Sequence, residues 1–172
     1  VGVPGVPDPA SGAILLAPNI AGIDQIDLAG ALRDMLGVEV FVENDVNLAA
    51  LGEHWLGSRG EGEDLVFISV GTGIGAGIVM GGQLLRGHSG AAGEIGFLPF
   101  GADPFEPESL STGALERVAA TEAIVGQYRA LKGRELDVPG VFDAAADGDQ
   151  AAIETLDAVA RQIARAIAAM VA

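Results

Sequence analysis

The stretch 65–85 constrains this chain most, because two glycine-bearing turns cut one apolar run into three short pieces. Leu65–Val70 reads as a strand, Gly71-Thr72-Gly73 as a turn and Ile74–Met80 as a second strand. Gly81-Gly82 then turns the chain into 83–85. Three apolar segments joined by two tight turns predict an antiparallel meander. A glycine-rich loop follows over 87–93, and then Glu94-Ile95-Gly96-Phe97-Leu98.

Helices and strands alternate around this meander. Residues 1–12 hold three of the eight prolines and read as an extended lead-in. A strand is expected at 14–17, ended by Pro18-Asn19. Asp24 is placed to cap a helix over 26–36, whose Ile26, Leu28, Leu32 and Leu36 lie mainly on one face; Gly37 stops it. A strand at 38–42 then runs into Asn44 and Asp45, where the next helix begins. Leu48, Leu51 and Trp55 follow at helical spacing, so Trp55 is expected in the core. Such strand-to-helix junctions are where open α/β sheets commonly bind ligands.

Past the prolines at 99, 104 and 107, the pattern is helical. Ser111 or Thr112 is placed to cap a helix carrying Leu115, Val118 and Ala119, and another is expected at 121–131. The last helix carries Ile153, Leu156, Ala160, Ile163, Ile167 and Met170 at three–four spacing, with Glu154, Asp157, Arg161 and Arg165 on a polar face. The chain opens at Val1 without Met, and this helix meets residue 172 with no glycine or proline stop. The expectation is a fragment.

A net charge of −15 and a pI near 4.2 give a surface that repels phosphate backbones, so DNA contact would require a segment outside these residues. The chain has no Cys, which removes disulfides and thiolate metal sites and fits a cytoplasmic location. No apolar run approaches the roughly 20 residues of a membrane span. His54 and His88 stand far apart in the sequence, so a metal site is not expected.

Three constellations can carry chemistry. A carboxylate in the first turn of a helix, as at Asp45, meets free backbone N–H groups and can serve as a base toward a substrate hydroxyl. Asn44 beside it offers a donor and an acceptor, suited to vicinal hydroxyls. From position alone, a plain helix cap is the simpler account of the pair. The glycines of Gly71-Thr72-Gly73-Ile74-Gly75-Ala76-Gly77 let backbone N–H groups approach phosphate oxygens, and the alternative is a ligand-free hairpin turn. Gly71, Gly73 and Ala76 meet the loose dinucleotide pattern, but that reading needs a helix over 75–85; the Gly-Lys-Ser/Thr of a Walker loop is missing. Finally, Glu94 and Glu116 can accept hydrogen bonds from sugar hydroxyls, or be surface carboxylates.

Together these segments resemble the ROK family (repressors, open reading frames and kinases). The likeness rests on Gly2-Val3-Pro4-Gly5, Ala17-Pro18-Asn19, the run Glu43 to Glu53, Gly71-Thr72-Gly73-Ile74-Gly75, Gly90-Ala91-Ala92-Gly93-Glu94-Ile95-Gly96 and Gly113-Ala114-Leu115-Glu116. The resemblance implies part of an α/β, actin-like (ribonuclease H-like) ATPase fold, a mixed sheet with the meander and a helical C-terminal part. Residues 1–60 would end the N-terminal lobe and 61–172 would form part of the C-terminal lobe. It implies that Asn19, Asn44, Asp45, Glu94 and Glu116 bind a monosaccharide or amino sugar. In a kinase, Asp45 would be the catalytic base and Gly71, Thr72 and Gly73 a nucleotide-phosphate loop. It also suggests a homodimer.

The departures from the pattern are specific. Phe97 stands where the family has a His that contacts sugar and helps bind zinc, and Ala114 stands at one of three Cys positions. Zinc is not expected. The phosphate loop Asp-x-Gly-x-Thr is absent, and ATP and Mg²⁺ would enter only if the parent protein is a kinase. These departures, and the run Asn-Asp-Val-Asn-Leu-Ala-Ala, favour the sugar-binding domain of a transcriptional regulator over a fragment of a glucokinase-like enzyme.

Overall fold

The computed structural model describes residues 1–8, 11–17, 20–57 and 64–171. By contacts the chain groups into two units: Val1–Ile68 with Ala76–Gly93, and Ser69–Gly75 with Glu94–Ala172. This grouping reflects packing, while the lobes of 1–60 and 61–172 are a division by family fold and stay an expectation.

In the first unit, β1 (Gly2–Val3) pairs in parallel with β4 (Glu43–Asn44), Gly2 opposite Glu43 and Val3 opposite Asn44. β2 (Val6–Pro7) pairs antiparallel with β3 (Ile14–Leu15). Val3, Ile14 and Ile23 form a small core, with Ala17, Leu28 and Val42 packed against it. α1 (Leu28–Leu36) starts later than expected, because Ile23–Gln25 forms a 3-10 turn. Its cap is therefore Asp27, whose carboxylate accepts the Gly30 N–H at 2.9 Å, and not Asp24. The strand expected at 38–42 is displaced to Glu43–Asn44. A strand needs a hydrogen-bonded neighbour, and β1 supplies its pairs only opposite those two residues.

α2 (Asp45–Leu56) buries Asn47 and Ala50. A Cβ on Gly77 would stand 2.4 Å from the Ala50 Cβ, so only glycine lets the second meander strand lie against this helix. Trp55 is 83% exposed, contrary to its expected place in the core, because the buried face of α2 is centred on these smaller residues.

The meander forms as expected, with β5 (Leu65–Val70), β6 (Ile74–Met80) and β7 (Gln83–Leu84) in that order. β6 and β7 run antiparallel, Val79 opposite Leu84 and Met80 opposite Gln83. Gly81 and Gly82 both have positive φ, 57° and 76°, as the turn of a two-residue hairpin requires. A strand at Ile74–Met80 eliminates the dinucleotide reading, which needed a helix there.

In the second unit, α3 (Pro107–Thr112) precedes α4 (Glu116–Ala119), α5 (Thr121–Lys132), α6 (Val138–Ala146) and α7 (Gln150–Val171). Ser111 and Thr112 close α3 and cap nothing downstream: Pro107 opens that helix, and Gly113, at φ 102°, breaks it. α6 lies between the helices expected at 121–131 and at the end of the chain, in a stretch read as helical without an assigned element. Asp137 caps it by accepting the Gly140 N–H at 3.0 Å, and proline is tolerated in a first turn.

α7 buries Ala152, Thr155, Val159 and Ala166, through which α4, α5 and α6 approach closely. The stripe expected inside is only partly covered, Ile153 and Ile167 being 39% and 42% exposed. The Tyr128 side chain is fully buried, and its hydroxyl lies 3.3 Å from both Asp149 Oδ2 and Arg134 Nε. Lys132 Nζ binds the same Asp149 oxygen at 2.8 Å.

Candidate functional site

The junction of β4 and α2 is organised by Glu43 and Asn44. Asn44 Oδ1 accepts the Asn47 N–H at 3.0 Å, capping the helix, while Asn44 Nδ2 donates to the Gly5 carbonyl at 2.9 Å. Each end of the amide is engaged by protein, with one N–H and one lone pair remaining. Glu43 Oε1 accepts from the Asn44 N–H and from Asn47 Nδ2, both at 3.0 Å. Its Oε2 accepts from Arg86 Nε and pairs with Nη2, both at 2.7 Å. The Glu43 side chain is only 16% exposed, so this charged bond holds the hub together.

Asp45 is the first residue of α2 and is exposed; its Oδ1 accepts the Val46 N–H at 2.9 Å. A Cβ on Gly2 would come within 3.1 Å of Leu48 Cδ1 and 3.6 Å of the Asp45 Cα, so the lead-in lies against the start of the helix. An exposed carboxylate beside a capped helix start is free to receive a ligand hydroxyl without disturbing the cap. Asn19 lies outside the described residues.

In the second unit, Glu116 opens α4, and its Oε2 accepts the Ile74 N–H at 2.8 Å. Burial pushes its pKa up, against the lowering effect of that backbone bond. No hydrogen bond among the described residues uses its other oxygen, Oε1. Glycines make the room it occupies. A Cβ on Gly73 would meet Glu116 Oε2 at 2.9 Å, and one on Gly96 would meet the Ile74 carbonyl at 2.9 Å. A Cβ on Gly113 would come 2.4 Å from the Gly96 carbonyl, which accepts the Leu115 N–H at 3.0 Å.

The turn at Gly71-Thr72-Gly73 is closed by the Gly71 N–H donating to the Gly73 carbonyl at 2.9 Å. The Thr72 and Gly73 N–H groups donate to nothing among the described residues, and Thr72 is exposed. Free N–H groups of this kind can receive an anion. Glu94 immediately precedes the 3-10 turn Ile95–Phe97 and is half-buried. Phe97 is 38% exposed. Arg117 fastens α3 to the start of α4: Nη1 donates to Glu106 and Ser109 at 2.6 Å, and Nη2 to Glu108 at 2.7 Å. The bond to Glu106 chiefly raises its pKa.

Of the expected residues, then, Asn44 and Asp45 share the junction in the first unit. Glu116 adjoins Gly73 in the second, where Glu94 also belongs. Sequence reasoning missed Glu43, Arg86 and Arg117. Glu43 stood in the run already singled out; Arg86 lies 43 residues from Glu43, and Arg117 bonds residues 8 to 11 positions back, outside the three–four spacing of a helix.

The residues do not fit a zinc ion of the family type. Phe97 offers a hydrocarbon ring, Ala114 is buried with no donor, and the chain has no Cys.

Residues 1–172 match the ROK family. The xylose repressor of Caldicellulosiruptor bescii is 35% identical over 131 residues, 76% of this chain and 33% of that protein. The glucokinase of Thermotoga maritima is 35% identical over 185 aligned positions, 98% of this chain and 57% of that enzyme. Among solved structures, a ROK family transcriptional regulator homologous to the Escherichia coli MLC protein aligns with a TM-score of 0.81 at 30% identity, over 97% of this chain and 44% of that one. The chain thus spans between a third and just over half the length of these relatives.

Proposed function

The chain belongs to the ROK family and has its actin-like, sugar-kinase fold, and from that premise we propose that it is the monosaccharide-binding effector domain of a transcriptional regulator. Both regulators and kinases stand among its relatives. The observation that carries the sugar reading is Glu116: a partly desolvated carboxylate with Oε2 committed to the backbone and Oε1 open to a donor. Asp45, with its helix already capped by Asn44, is a second acceptor for a sugar hydroxyl. Asn19, Asn44 and Glu94 complete the proposed set, for a monosaccharide or an amino sugar.

Two features support a regulator over an enzyme. Phe97 replaces a polar sugar contact by a ring that can only stack, and the zinc set is missing. With a charge of −15, DNA contact would fall to a segment outside these residues. Among the described residues no helix is long and apolar enough to cross a membrane; a cytoplasmic homodimer is part of the proposal.

The kinase reading has its own support in Asp45 and in the free N–H groups of the 71–73 turn. In that case Asp45 would accept the proton of the attacking hydroxyl and the turn would hold phosphate oxygens, while bound ATP with Mg²⁺ would supply the phosphoryl group and leave as ADP.

The test is to titrate the full-length protein with glucose, xylose and N-acetylglucosamine and then to assay ATP turnover. Saturable binding of one sugar without ADP release supports the regulator. Sugar-dependent ADP release above about 1 per second, an ordinary enzyme rate, establishes the kinase instead.

A further inference from the structure

The 71–74 turn is held from both ends by one short segment. Thr121 opens α5, and both its backbone N–H and its hydroxyl donate to the Gly71 carbonyl, at 2.9 and 2.7 Å. Five residues earlier Glu116 takes the Ile74 N–H. Segment 116–121 therefore grips the residue before Thr72 and the residue after Gly73. The second bond to the Gly71 carbonyl fills its second lone pair. A helix start does not itself need that hydroxyl to face a carbonyl fifty positions away.

We propose that Glu116 couples sugar binding to the 71–74 turn, with Thr121 as the positioning residue that fixes the turn's other end. The proposal rests on the sugar reading above. A hydroxyl donating to Oε1 fixes the carboxylate by a second bond, and with it the Oε2 that accepts the Ile74 N–H. Sugar thus tightens the turn, and a firmer turn pre-orders Glu116 for sugar, since coupling between sites is reciprocal. Gly73 and Gly96 lie so close to Glu116 that a Cβ on either would meet its Oε2, at 2.9 and 3.1 Å, so only glycines let the carboxylate sit on the Ile74 N–H. The device serves either version of the function: it transmits occupancy in a regulator, and it presets the phosphate turn in a kinase.

The experiment is hydrogen exchange in the full-length protein, followed on peptides covering 71–76, with and without saturating glucose, xylose or N-acetylglucosamine. The sugar that binds slows exchange there by at least about five-fold, the low end of ordinary coupling. Thr121→Val, which keeps the shape and removes the hydroxyl, speeds exchange in the same peptides and shrinks the sugar-dependent difference, while Thr121→Ser restores both. Sugar binding with unchanged exchange at 71–76 in the wild-type chain overturns the coupling and leaves the sugar reading intact. Binding by none of the sugars overturns both. Should Thr121→Val fail to fold, the wild-type comparison and Thr121→Ser still decide.

Discussion

Asn44 Nδ2 lies 2.9 Å from the Gly5 carbonyl, joining the start of α2 to the lead-in strand pair across 39 residues of sequence. The same side chain caps the helix through Oδ1. Asn44→Asp keeps the cap and loses the bond to Gly5; Asn44→Ala loses both. Urea unfolding should therefore rank them, Ala costing about 1–2 kcal/mol from the cap alone and Asp clearly less. Equal losses would mean that the cap contributes little.

Asp45 carries the contrasting expectation. It is exposed and bonds only to the next residue's N–H among the described residues, so Asp45→Ala should leave unfolding within about 0.5 kcal/mol of wild type. Sugar affinity should fall by about 1–3 kcal/mol, the worth of a lost hydroxyl partner. Calorimetric titration decides; unchanged affinity removes Asp45 from the site.

These two neighbours also mark how far the sequence could be read. A cap at the start of α2, the meander and the glycine turns are local signals, each written in adjacent residues, and all were legible. The position of Asp45 at a helix start was legible for the same reason. Strand 38–42 was misplaced because pairing depends on a partner distant in sequence. Trp55 and the α7 stripe were misjudged because burial is decided by which neighbours arrive, and small residues at Ala50, Ala152 and Ala166 let them arrive elsewhere. The Arg86 bond to Glu43 was invisible for want of any local pattern.

Glu116 gives a pH signature. Its pKa is raised from an ordinary value of 4.5, so the folded chain holds the proton more tightly than the unfolded one. Stability relative to Glu116→Gln is therefore highest below that ordinary value. It falls as pH rises through it toward the raised folded value, and is flat above. Urea unfolding of both proteins between acid and neutral pH tests this; a difference that grows with pH contradicts the assigned burial.

Tyr128 anchors the helical unit. Truncation to alanine empties a fully buried site and should cost about 3–5 kcal/mol, whereas Tyr128→Phe loses only two long hydroxyl contacts and should cost about 1 kcal/mol. Thermal unfolding of the pair separates packing from polarity.

Gly77→Ala should destabilise the first unit by about 1–3 kcal/mol, since the new methyl meets Ala50 Cβ at 2.4 Å and the Val46 carbonyl at 2.7 Å. A double variant that also carries Ala50→Gly should recover part of the loss; no recovery would place the clash on the Val46 backbone.

The three glycines at 73, 96 and 113 leave this neighbourhood without freedom to evolve by enlargement, because every added methyl strikes a backbone atom or the Glu116 carboxylate. On the proposed sugar reading, changes in ligand preference fall to Phe97, 38% open to solvent at the end of the 3-10 turn that follows Glu94. Libraries aimed at retuning the chain should randomise that ring and leave the glycines alone.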